Sequence, residues 1–133
     1  MKTINQYVQE AHENAVNKGW WEEERSLPEL ICLMHSELSE ALEDYRNGYE
    51  PTEMYYEFLG DTCLAQHKET IMEELDWTEE SDFKPCGIPS ELADVVIRIF
   101  DACGQYGIDL EAAINEKMAY NATRPHKHGG KVL

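Results

Sequence analysis

Basic residues are scarce in this sequence: 11 lysines and arginines stand against 27 aspartates and glutamates, for a formal net charge of −16. A negative field of this size repels the phosphate backbones of DNA and RNA, which argues against plain nucleic-acid binding. Any polyanionic ligand would therefore need a divalent cation to bridge it to the protein.

Long apolar runs are also missing. No stretch approaches the roughly 20 apolar residues that a membrane-spanning helix needs, and residues 1–9 lack the apolar core of a signal peptide. The cysteines show no C-x-x-C spacing. We therefore expect a cytoplasmic protein whose four cysteines are reduced and pack as small residues: Cys32, Cys63, Cys86 and Cys103.

Apolar residues recur at helical spacing in four segments, at about 4–18, 27–47, 89–106 and 110–123. Thr3 with Gln6, and Ser26 with Glu29, form capping boxes before the first two segments. Asp109 is the expected N-cap of the fourth. The 133 residues are the length of one domain, so we predict a single domain, 1–133, with an all-α fold built on four core helices.

The segment from 50 to 87 separates the second and third predicted helices and has a mixed character. Residues 62–75 resemble a fifth helix with poorly marked ends. Strand-like alternation does not persist anywhere, so no sheet is predicted. The last ten residues, 124–133, form a basic, glycine-containing tail unlike the acidic chain before it.

Two pairs of acidic residues lie three positions apart, Glu37 with Glu40 and Glu91 with Asp94. Each pair flanks the apolar stripe of its predicted helix on the same side, so antiparallel packing would bring the four carboxylates together. Carboxylates brought together in this way repel unless a cation joins them, and Mg²⁺, or Mn²⁺ in its place, suits oxygen ligands. The alternative is that these residues border a solvated helix face, as most acidic pairs do.

The inner line of the fourth predicted helix begins with Leu110, Ala113 and Ile114 and continues with Lys117, Asn121 and Arg124. Cationic and polar groups on such a line, with Lys131 in the tail, are suited to binding phosphate oxygens. The alternatives are long side chains that extend past the end of the core, and an ordinary charged terminus.

Trp20 and Trp21 follow Gly19 and could offer a flat face on which a nucleobase stacks. Packing in a core or an interface is the more common role of tryptophan.

Three runs together resemble the MazG-like nucleotide pyrophosphohydrolases, an all-α superfamily. The first is His35-Ser-Glu37-Leu-Ser-Glu40-Ala-Leu-Glu43, and the second is Gly87-Ile-Pro-Ser-Glu91-Leu-Ala-Asp94-Val-Val-Ile-Arg98. The closing run comprises Gly107-Ile-Asp-Leu, Glu116-Lys117-Met, Tyr120-Asn121-Ala-Thr-Arg124-Pro and His128-Gly-Gly-Lys131. The resemblance covers residues 1–50 and 84–133, and the C-terminal half is its more specific part.

The resemblance implies a MazG-like helical bundle that hydrolyses a nucleoside triphosphate to the monophosphate and pyrophosphate. It implies that Glu37, Glu40, Glu91 and Asp94 bind magnesium, with Glu37 or Glu40 as the base. It also implies that Lys117, Asn121 and Arg124 contact the substrate, and that the protein is a homo-oligomer, a dimer or a dimer of dimers.

Two features depart from the family pattern. Ser36 precedes Glu37 where some members carry two adjacent glutamates, so the number of metal ions and the identity of the base are open. The segment 50–87 is longer than the connection in minimal members. The alternatives are a related pyrophosphohydrolase acting on phosphoribosyl-ATP or a modified nucleotide, and a non-catalytic acidic module that binds a basic partner.

Overall fold

The computed structural model describes residues 1–125 and is mostly helical, as predicted. Its helices are α1 (Ile4–Asn17), α2 (Leu27–Arg46), α3 (Ala65–Glu74), α4 (Ile88–Tyr106) and α5 (Leu110–Thr123). Its strands are β1 (Tyr55–Phe58), β2 (Asp61–Leu64) and β3 (Lys84–Cys86). The chain forms two compact units: a central unit, Ser26–Arg98, and a terminal unit that combines Met1–Arg25 with the chain from Ile99 onward.

The predicted helix starts are confirmed by their caps. Thr3 Oγ1 accepts from the backbone N–H of Gln6 at 3.1 Å, and the Gln6 side chain accepts from the backbone N–H of Thr3 at 2.7 Å. Ser26 Oγ accepts from the N–H of Glu29 at 3.3 Å, and Asp109 caps α5. These bonds satisfy backbone donors that no carbonyl within the helix can reach.

The prediction that the middle segment contains no sheet is wrong. The three strands form an antiparallel sheet in the order β2-β1-β3. Leu59 and Gly60 connect β1 to β2 with φ values of 51° and 84°, the positive values that a two-residue type I′ hairpin turn requires. Tyr55, Tyr56 and Phe58, before this glycine, are aromatic residues of the kind enriched in strands, although they do not alternate strictly with polar residues.

The predicted fifth helix is confirmed as α3, which begins after 62–64 because those residues complete β2. A small core of Phe58, Cys63 and Phe83 lies at the sheet, and the Phe58 and Phe83 rings stack with centroids 4.6 Å apart. Ile71 and Met72 of α3 pack against this core. The inserted segment is therefore a sheet covered by a helix, with apolar packing of its own.

The apolar stripe predicted on α2 is divided in the structure. Leu30 and Ala41 are buried, whereas Leu38, Leu42 and Tyr45 are 46%, 58% and 63% exposed. These last three residues continue the helical spacing of apolar residues, but they do not pack in a core of this chain taken alone. The buried edge of α2 is the edge that also carries Glu37 and Asp44.

Candidate metal centre

Three of the four predicted carboxylates meet in the central unit. One oxygen from each of Glu37, Glu40 and Glu91 lies within 4.8 Å of the others. Glu37 and Glu40 share a face of α2 because they are three residues apart, and Glu91 lies in the first turn of α4. Local helix spacing and the packing of two segments that are distant in sequence therefore produce the cluster together.

Arg98 neutralises one member of this cluster. Its Nε donates to Glu37 Oε1 at 2.8 Å, where the Glu37 side chain is 13% exposed and that of Arg98 is 32% exposed. A charge-assisted hydrogen bond of this length, largely screened from water, holds the Glu37 carboxylate in one orientation.

Glu91 is the most strongly perturbed acid of the cluster. Burial, a hydrogen bond with Glu40 and the negative charges of Glu40, Asp94 and Asp44 raise its pKa from 4.5 to about 7. A carboxyl group in this position retains its proton because ionisation would add a further negative charge beside existing ones. A cation bound at the same place would remove that cost.

Asp94, the fourth predicted ligand, does not meet the three glutamates within the same distance. Its carboxylate is still close to them: desolvation and then the charge of Glu37 raise its pKa, while the positive charges of Arg98 and Lys84 act in the opposite direction. Asp94 is therefore not one of the three converging carboxylates, although the charges of Glu37 and Glu40 act on it.

Asp44 and its partner were not predicted. Asp44 follows Glu40 by one helical turn and is only 7% exposed. Its Oδ1 accepts from the hydroxyl of Tyr55 at 2.8 Å, and this contact joins α2 to the first strand of the inserted sheet. Desolvation and the Asp44 carboxylate raise the pKa of Tyr55, so the phenol stays a donor. The sequence signal that could have identified Asp44 is its i,i+4 spacing from Glu40.

The donor set fits a hard divalent cation. The three groups whose oxygens converge here from α2 and α4 are carboxylates, and Mg²⁺ and Mn²⁺ prefer oxygen ligands. Ligand oxygens around Mg²⁺ lie about 3 to 4 Å apart, given bonds of about 2.1 Å. The exposed Glu40 side chain can close the remaining separation by rotating, whereas histidine and cysteine ligands suited to zinc are not part of the group.

The predicted substrate-contacting residues belong to the terminal unit. Lys117, Asn121 and Arg124 are exposed along α5, and the Arg124 guanidinium lies 5.9 Å from the centre of the Tyr120 ring. Their role stays a prediction. Lys131 lies outside the described residues.

The two tryptophans differ in their surroundings. Trp21 Nε1 donates to Asp101 Oδ1 at 2.9 Å, and the same oxygen is 2.9 Å from His12 Nδ1. Trp20 is 51% exposed, with the Arg25 guanidinium 5.2 Å from its ring centre. Trp21 is thus part of a polar network within the terminal unit, and base stacking on either ring stays a prediction.

A comparison with protein-family models, with curated proteins and with solved structures finds no match to this chain. The resemblance to the MazG-like family therefore depends on the sequence motifs alone. Among residues 1–125, no helix is long and apolar enough to cross a membrane.

Proposed function

We propose that the protein hydrolyses a nucleoside triphosphate to the monophosphate and pyrophosphate in a magnesium-dependent reaction. The observation that carries this proposal is the meeting of Glu37, Glu40 and Glu91 within 4.8 Å in a chain of net charge −16. A triphosphate would be repelled by such a site unless a cation joined the two. The motif resemblance supplies the class of substrate.

In this proposal the carboxylates of Glu37, Glu40 and Glu91 hold the cation, with Asp94 as the fourth ligand that the resemblance implies. Magnesium, when bound, supplies positive charge that links the carboxylates to the phosphate oxygens and offsets the developing negative charge. Arg98 keeps Glu37 in place through its bond to Oε1. The protein's part is to orient these oxygens and to receive a proton.

The chemical step is the attack of water on the α-phosphorus. A bond forms between the water oxygen and the α-phosphorus, and the bond to the bridging oxygen breaks, so that this oxygen leaves with pyrophosphate. One proton of the water passes to a carboxylate, and Glu37 and Glu40 are the candidates.

The test is pyrophosphate release from each common NTP and dNTP, with magnesium and with a chelator. Phosphoribosyl-ATP and modified nucleotides complete the panel, because the motifs do not choose among these substrates. Glu40→Ala should abolish pyrophosphate release while the variant keeps the helical circular dichroism of the wild type. Glu43→Ala, one turn along the same helix, should still release pyrophosphate. Release that survives in Glu40→Ala would remove Glu40 from the mechanism.

We also propose that the chain self-associates through the exposed stripe of α2. Five large apolar side chains on this helix are more than 40% exposed and lie within about 60° of one another around its axis: Leu27, Ile31, Leu38, Leu42 and Tyr45. A continuous apolar face of this kind marks an interaction surface. A second copy is the simplest partner because it presents the same stripe.

Sedimentation velocity of Leu42→Glu tests this proposal. A buried charge would disfavour the assembly, so the variant should sediment as a smaller species than the wild type. Leu59→Glu is the matched control, because Leu59 lies in the hairpin turn and is 77% exposed, and it should leave the assembly intact. A monomeric wild-type protein would refute self-association through α2.

A further inference from the structure

Lys68 of α3 is a largely buried lysine that lies against aromatic rings. Its side chain is 12% exposed, and Nζ lies 4.5 Å from the centre of the Tyr56 ring and 5.8 Å from that of Phe83. Nζ is also 2.5 Å from Oε2 of Glu80, whose own side chain is 72% exposed. The rings therefore hold the ammonium in place, whereas the Glu80 carboxylate can rotate into solvent.

A cavity of about 560 Å³ is lined by this lysine and its neighbours. The lining combines charged and hydroxyl side chains with aromatic and proline rings: Lys68, Lys84, Glu80, Ser81, Tyr56 and Pro85. Glu80 and Ser81 lie in a short turn that is fixed by a hydrogen bond from the backbone N–H of Glu79 to Asp82 Oδ2 at 2.8 Å. Small-molecule sites typically have volumes of about 300–1,000 Å³ and a few polar groups in an apolar wall, and this cavity matches both criteria.

The cavity also brings together the lysines of the acidic central unit. Lys68 and Lys84 are the only lysines in the sequence of the unit Ser26–Arg98. Both arginines of this unit pair with acids of α2, and Lys84 forms no ion pair among residues 1–125. Two ammonium groups at one cavity attract an anion. In the structure, the Glu80 carboxylate is the anion that meets Lys68.

We propose that this cavity binds the phosphate group of a small ligand, which displaces the Glu80 carboxylate from Lys68. Lys68 and Lys84 supply the positive charge, and Ser81 supplies a hydroxyl donor. A phosphate group carries about −1.5 to −2 charges at pH 7, which two ammonium groups offset, whereas the single charge of Glu80 leaves one of them without a partner. The Tyr56 and Pro85 rings form an apolar wall for the rest of a phosphate ester. The proposed site needs neither magnesium nor a triphosphate.

The experiment is a titration of the full chain with inorganic phosphate and, separately, with phenyl phosphate, followed by the amide NMR shifts of residues 79–84. Chelator is present throughout, so that no divalent cation can carry phosphate to the carboxylate cluster. We expect Lys68→Met to weaken the binding of phenyl phosphate by about tenfold or more, because a hydrogen bond to a charged group is lost. Glu80→Gln should tighten it by about threefold, because the competing carboxylate is removed.

Lys2→Met is the matched control. Lys2 Nζ also lies 2.5 Å from a glutamate oxygen, that of Glu10, and 5.3 Å from the centre of the Tyr7 ring, but its side chain is 50% exposed. The substitution removes the same charge from a similar pair in the terminal unit, so it should leave the affinity for phenyl phosphate unchanged.

The two ligands distinguish the source of the phosphate group. Tighter binding of phenyl phosphate assigns the cavity to a phosphate ester, and equal affinities assign it to free phosphate. A wild type that shows no saturable shift with either ligand refutes the site, as does a folded Lys68→Met that binds as tightly as the wild type. If Lys68→Met fails to fold, Glu80→Gln decides, because an affinity no higher than that of the wild type would mean that the Lys68–Glu80 pair is only structural. Saturable binding in a protein that releases no pyrophosphate would keep the site and refute only the proposed function.

Discussion

The pair between Arg98 and Glu37 offers the sharpest test of the site's electrostatics. Arg98→Met keeps most of the side-chain bulk and removes the guanidinium that donates to Glu37 Oε1 at 2.8 Å. Glu37 is then left unpaired, 13% exposed, beside Glu40 and Glu91. The variant should therefore be less stable than the wild type in the absence of divalent cations.

The size of the effect follows from the geometry. Opposite charges about 4 Å apart attract by about 4 kcal/mol at an effective dielectric of about 20, and desolvation offsets much of this. Arg98 is 32% exposed, so water screens the pair further. We expect Arg98→Met to lower the free energy of unfolding by about 2 kcal/mol, in the range for hydrogen bonds to charged groups.

A double-mutant cycle with Glu37→Gln, measured by urea denaturation in chelator, isolates the pair from other effects of each change. We expect a coupling energy of about 1–2 kcal/mol. Saturating magnesium should stabilise Arg98→Met more than the wild type, because the cation replaces the missing positive charge. A coupling energy below about 0.3 kcal/mol would refute the pair as a stabilising contact in solution.

Three further predictions follow from the central unit. In chelator, the free energy of unfolding should fall by about 1–2 kcal/mol as the pH rises from 4.5 through about 7, because folded Glu91 retains a proton that the unfolded chain has lost. Tyr55→Phe should cost about 1–3 kcal/mol in urea denaturation because Asp44 loses its donor. Gly87→Ala should cost more than about 2 kcal/mol and lower Tm by several degrees, since φ is +109° and the new Cβ would clash with the carbonyl oxygen of Glu53.

Each of these predictions has a control variant or an outcome that would contradict it. Glu91→Gln should remove the fall in stability with pH, and a fall that persists would assign it to another group. An unchanged urea midpoint in Tyr55→Phe would mean that its hydroxyl does not support Asp44. Gly60→Ala, with φ +84° and open space around the new Cβ, should cost only about 1 kcal/mol, and an equal loss at both glycines would contradict the predicted clash.

The ends of the helices could be predicted because their causes are local. The Thr3 and Ser26 side chains bind backbone groups three residues away, and the α-helix itself joins groups four residues apart. The spacing that puts Glu37 beside Glu40 is local in the same sense. The helix starts and the Glu37–Glu40 pair depend only on residues a few positions apart, so the sequence predicts them to within a few residues.

The tertiary structure alone decided the features that depend on distant partners. The strand 84–86 pairs with residues 55–57, and the helix α3 lies between the two strands in the sequence. The pairing therefore has no local pattern of alternating residues that would predict it. Arg98 reaches Glu37 from 61 positions away, and the buried Asp44 accepts a hydrogen bond from Tyr55 of the sheet. A carboxylate has the same sequence signal whether it is solvated or buried. Its charge, its partners and its ability to hold a cation follow from what the fold packs around it.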